Sequence, residues 1–170
     1  MSIRIGFLIN LLVIAVLMSA NAIAAEIPGE AHQAKHGLGQ LAQALAAGKD
    51  AIRPLRGARS ESSVYKDRLD PAIPGMECHI DRIASYVSCY SSLLTIAQAD
   101  SLFSRLADEL EAVLDVDKWN VIKKQAASAP LRSQSYAAVN SSARIDVDII
   151  SRPGLTGHNS YIVSMYGWSH

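Results

Sequence analysis

The sequence predicts an α+β fold: an antiparallel sheet of about five strands, one long amphipathic helix packed on a face, and a further helix at the N-terminus. Three observations carry this expectation. Residues 95–115 repeat apolar side chains at helical spacing, residues 143–151 alternate apolar and polar side chains at strand spacing, and two cysteines flank a short alternating stretch at 76–90. The expected order is helix, linker, two strands, helix, three strands. It divides the chain into 1–24 as a signal peptide, 25–75 as the N-terminal helix and linker, and 76–170 as the α+β domain.

The chain begins with one positive charge at Arg4, then an apolar run from Ile5 to Met18 broken only by Gly6 and Asn10, then small residues. This is the layout of a secretory signal peptide, with Ala22-Ile23-Ala24 as the small-x-small cleavage pattern. A retained anchor is the competing reading, but the run is shorter than the roughly 20 residues a spanning helix needs. The expected product starts near Ala25, carries no stable membrane anchor, and resides in a periplasm or outside the cell. Cleavage removes Arg4 and no acid, so the remaining chain has one acidic side chain in excess. A nearly neutral balance argues against a nucleic-acid partner, because such binders carry a basic excess.

From Glu30 to Ala47 the chain is rich in Ala, Gln and Leu, and Leu38, Leu41, Ala42 and Leu45 fall at helical spacing. Gly37 and Gly39 weaken the first half, and Gly48 marks the end. Residues 49–75 hold three prolines and no sustained period, which reads as a linker or long irregular surface segment. Arg53, Arg56 and Arg59 recur every third residue as a candidate basic stripe. A solvated linker balanced by Asp50, Glu61, Asp67 and Asp70 is the plainer explanation.

Cys78 and Cys89 are the only cysteines. In an exported domain a disulfide is their default fate, stapling 76–80 to 84–92 as antiparallel strands around a turn near Asp81-Arg82. Their spacing is not the C-x-x-C of a redox pair. His79 beside Cys78 does not complete a zinc set. A nucleophilic Cys89 needs a free thiol and a histidine brought near by the fold, with His158 and His170 the candidates.

Thr95-Ile96-Ala97-Gln98 fits a capping box, and Leu102, Phe103, Leu106, Leu110, Val113 and Leu114 then form one apolar stripe. Arg105, Asp108, Glu109 and Glu111 lie away from it, with Arg105 and Glu109 spaced to pair across one turn. The helix should end near Asp115, and Trp119 should plug the core beneath its end. Residues 131–139 read as a strand and Asn140-Ser141-Ser142 as a turn that also matches a glycosylation acceptor. Residues 143–151 place Ile145, Val147 and Ile149 on one face and Arg144, Asp146 and Asp148 on the other. Residues 152–159 read as a loop with Pro-Gly, and 160–168 as a final strand, apolar on both faces and therefore central or doubly covered.

No G-x-S-x-G, H-E-x-x-H, P-loop or G-x-G-x-x-G pattern occurs, so no catalytic residue and no cofactor is assigned. His32 and His36 are four apart and are candidate metal ligands on one helix face, although exposed histidines near a chain start are ordinary. Asp146 and Asp148 are a candidate carboxylate pair, and the plainer explanation is a solvated strand face. Tyr86, Tyr90, Tyr166 and Trp168 would collect on the sheet as a recognition surface, or serve as edge and core packing.

The expectation is a small exported, non-catalytic binding protein of inhibitor, immunity or envelope-accessory type, with another envelope or secreted protein as partner. Arg144, Asp146, Asp148 and His158 form its expected contact surface, because loops on a rigid scaffold commonly carry binding. A small envelope hydrolase or a metal-binding protein is the alternative.

Overall fold

A computed structural model describes residues 28–61, 63, 65–83, 86–124, 131–153 and 159–169, the first nine of these and Lys123 and Lys124 by backbone alone. The expected signal peptide therefore lies outside the described residues. The fold is α+β, and the strand count departs from expectation: eight strands form one antiparallel sheet, not about five.

Helix α1 (Pro28–Ala47) is followed by a 3-10 helix at Lys49–Leu55, then β1 (Arg56–Arg59), β2 (Lys66–Leu69), β3 (Glu77–Asp81) and β4 (Tyr86–Tyr90). Helix α2 (Ile96–Val113) leads to β5 (Trp119–Lys124), β6 (Arg132–Ala138), β7 (Arg144–Arg152) and β8 (Ser160–Trp168). Across the sheet the order is β1-β2-β3-β4-β8-β7-β6-β5. Two four-stranded meanders are thus joined by α2 and meet where β4 pairs with β8.

Three strands escaped the sequence reading. β1 and β2 lie inside the segment expected to be a linker, and β5 follows α2, where only a core plug was expected. The physical reason is that β1 and β2 are four-residue strands, RGAR and KDRL, too short and too charged to show a period. β2 is held by ladder bonds to β3 and β1 by ladder bonds to β2, with a few buried anchors: Ile52 and Leu55 before them, Leu69 within β2, and Ile73 after it.

The disulfide joins Cys78 of β3 to Cys89 of β4, which stand opposite each other in the ladder. The capping box of α2 is present. Thr95 Oγ1 accepts from the Gln98 amide at 3.3 Å, and Gln98 Oε1 accepts from the Thr95 amide at 3.0 Å. The helix then buries Ala99, Phe103, Leu106, Ala107 and Leu110. Glu109 departs from expectation in being buried. Arg105 pairs with it at 3.3 Å and donates through its other terminal nitrogen to the Pro74 carbonyl at 2.7 Å, which ties α2 to the β2–β3 loop.

Both helices cover the same side of the sheet. There α2 meets Ile145, Val147 and Ile149 of β7 and Val163 and Met165 of β8, while Leu38, Leu41 and Leu45 of α1 join the same core. Leu45 comes so close to β8 that a Cβ on Gly167 would stand 2.7 Å from its Cδ1. α1 ends at Gly48, whose φ of 103° is open to glycine and strained for other residues. Trp119 is buried as expected, but as the first residue of β5. Beneath α2, Gln134 donates to Glu111 at 2.8 Å and to the Tyr136 hydroxyl at 2.7 Å, and that hydroxyl donates to the Ala107 carbonyl at 3.2 Å.

Candidate functional site on the uncovered sheet face

In an antiparallel ladder, directly opposed residues project to the same face. The register therefore assigns the second face of the sheet residue by residue. One row runs Arg68, His79, Ser88, Tyr166, Asp146, Ser135 and Ile122 from β2 to β5. The next places Tyr86 opposite Trp168 and Trp168 opposite Arg144. A third places Glu77 opposite Tyr90, Tyr90 opposite Ser164 and Ser164 opposite Asp148. Among the described residues, no helix lies on this face.

The centre of that face, across β4, β8 and β7, is aromatic. Tyr86 and Tyr166 stack with ring centroids 5.8 Å apart, and Tyr90 meets Tyr166 edge-on at 5.6 Å. Both geometries are favoured by the ring quadrupole. The Arg144 guanidinium stands over Trp168 at 5.6 Å from the ring centroid. Arg144 also pairs with Asp146 at 2.8 Å and donates to the Ser135 hydroxyl at 2.9 Å. Ser88, Ser135 and Ser164 are buried on this face, which no helix covers among the described residues.

Burial, then the neighbouring Tyr90, pushes Tyr86 up to about 12. Burial, followed by Tyr90 and Tyr86, also raises Tyr166 well above the ordinary phenol value. These hydroxyls therefore stay protonated throughout the physiological range and offer neutral donors, while Arg144 and Asp146 supply a charge of each sign. The patch combines flat apolar rings with directional polar groups. It has the means to recognise, and Asp146, already tied to Arg144, is poorly placed to act as a free base.

The expected contact residues fall as follows. Arg144, Asp146 and Asp148 share the uncovered face at alternate positions of β7. His158 lies outside the described residues. His32 and His36 lie on α1, where the backbone alone is described. The Cys89 sulfur is bonded to Cys78 and fully buried, which leaves no thiolate for the nucleophilic alternative. Of the basic stripe, Arg53 pairs with Asp50 at 3.3 Å in the 3-10 helix, and Arg56 and Arg59 bracket β1.

The four aromatics lie next to the expected contact residues, with Trp168 opposite Arg144 and Tyr166 opposite Asp146. Their signal was parity. Tyr86, Ser88 and Tyr90 alternate along one strand, and Ser164, Tyr166 and Trp168 along another, so each set projects to a single side. What the sequence did not reveal is that β4 and β8, with 69 residues of chain between them, pair directly. No family model matches the chain, and neither the curated proteins nor the solved structures searched contain a match.

Proposed function

We propose that the chain is a small exported, non-catalytic binding protein that recognises another envelope or secreted protein through the uncovered face of its sheet. The observation that carries this reading is the cluster of Tyr86, Tyr90, Tyr166 and Trp168 beside Arg144 on a face without a helix among the described residues. Tyrosine, tryptophan and arginine are the side chains that dominate binding energy at protein interfaces, where each gives a large rigid area and a polar handle. Export is supported by the signal-like N-terminus, and the Cys78–Cys89 bond fits an oxidising compartment. After cleavage the protein keeps no membrane anchor, and it works without a cofactor.

The test is capture. The chain is immobilised and exposed to periplasmic and secreted extracts, side by side with a Trp168→Ala variant and an Arg144→Glu variant. The reading expects at least one protein that the parent retains and both variants release. Retention that is the same for all three, or turnover of an envelope substrate by the parent, would contradict it.

A further inference from the structure

The far edge of the sheet carries a second surface, independent of the aromatic face. Among the described residues β5 pairs with β6 alone, and its ladder fixes which backbone groups it leaves over. The Val139 amide donates to the Lys118 carbonyl at 2.8 Å. Alternation then turns residues 118, 120 and 122 toward β6 and residues 119, 121 and 123 toward the open edge. The Trp119 amide agrees, since it turns away from β6 to the Asp115 carbonyl at 2.9 Å. The groups left to the edge are the Trp119 carbonyl and both backbone groups of Val121 and Lys123.

This edge is apolar at its centre. Val116, Val121 and Ile122 are 82, 45 and 40 % exposed. On the helix side, Leu114, Val116, Trp119 and Val121 line a groove of about 300 Å³, with Glu111 at its rim. Charge is arranged with polarity along the strand. Asp115 and Asp117 stand exposed at its start, one of them offset by Lys118, and Lys123 and Lys124 stand at its end. A parallel neighbour of the same sequence sets like charges together. An antiparallel one sets the acidic start of each strand beside the basic end of the other, twice.

We infer that β5 is the interface for a second copy of this chain, paired antiparallel about a two-fold axis to give one continuous sheet across the dimer. The self-complementary charge pattern selects this occupant. Lysines on an edge strand deter pairing with strands of arbitrary sequence, and the antiparallel arrangement sets the basic end of this strand beside the acidic start of the second copy. The opposite edge is a poor alternative, because β1 is four residues long, irregular in register and bracketed by Arg56 and Arg59, which carry the same sign of charge as the basic end of β5. A β5–β5 contact is also closed, whereas a β5–β1 contact generates open chains.

Sedimentation velocity on the chain as its host processes it tests the inference, with three variants in parallel. Val121→Pro removes an amide that faces away from β6, so the fold tolerates it while the edge loses a donor. Lys123→Glu together with Lys124→Glu puts an acidic balance at both ends of β5. The expected result is a dimer for the parent at micromolar concentration, and a dissociation constant raised at least tenfold in both of these variants. Asp117→Lys added to the two lysine changes reverses the polarity of the strand and should restore the dimer, which guards against a variant that merely misfolds. A parent that stays monomeric up to on the order of 100 µM, or a dimer indifferent to both the proline and the lysine changes, overturns it.

Discussion

Gly167 shows how one side chain sets the approach of a helix to a sheet. Its hydrogen leaves room for Leu45, whose Cδ1 lies 2.7 Å from where a Cβ would stand. Gly167→Val should destabilise the fold by about 1–3 kcal/mol through overpacking. The effect should shrink when Leu45→Ala is made in the same chain, so a double-mutant cycle read by urea unfolding reports a coupling between the two sites; strict additivity would place α1 elsewhere. The tyrosines give a second test at this scale. Of the six in the chain, Tyr86, Tyr136 and Tyr166 are raised, each chiefly by burial. Unfolding returns them to the ordinary value near 10, so the unfolded chain loses those protons first. The stability they contribute is whole below pH 10 and drains away as pH rises toward 12. Absorbance at 295 nm should therefore show about half of the phenols ionising late in the native protein and all of them together in denaturant. A single native transition near pH 10 would contradict the packing of the aromatic face. The parity of these residues was visible in the sequence, but the pairing that unites them is a long-range contact that no local pattern encodes.

Helix α2 and the β3–β4 staple are the elements whose sequence signals agree at every level, and both appear where expected. Thr95→Ala removes the acceptor for the Gln98 amide and should cost about 1 kcal/mol, measured as a shift in the denaturation midpoint. The Cys78–Cys89 bond spans 11 positions, and replacing both cysteines by alanine should cost about 3 kcal/mol by loop-closure entropy. Loss of less than 1 kcal/mol would mean that the hairpin holds its register without the bond. The strands that were not legible share a cause. KDRL carries its inward positions as Asp67 and Leu69, and Asp67 is buried because Arg82 pairs with it at 3.0 Å, so a charged residue occupies a place where the pattern calls for an apolar one. β5 reads as apolar and then basic, with Val121 and Ile122 adjacent and no alternation. A strand at an edge is only partly buried, and its sequence records that partial burial.

At the scale of the whole sheet, and among the described residues, one face is closed by two helices and the other is finished by its own side chains. The helix side follows the ordinary logic of a two-layer fold, and its apolar parity on β7 and β8 made it readable in advance. The uncovered side explains why β8 is apolar on both faces: Tyr161, Val163 and Met165 face the helices, while Ile162, Tyr166 and Trp168 build the patch. A dimer through β5 would leave both patches free and set them on one continuous sheet, so a partner with two epitopes would gain avidity without any new contact. The central claim is that recognition runs through the aromatic face. Its most direct measurement is the affinity of the captured partner for Tyr90→Ala and Trp168→Ala chains, with Asp108→Ala on the exposed side of α2 as the control. The account predicts a loss of tenfold or more for each of the first two, the mark of residues worth more than about 1.4 kcal/mol at an interface, and less than about twofold for the control. Equal affinity across the set, or a loss confined to the control, would contradict it.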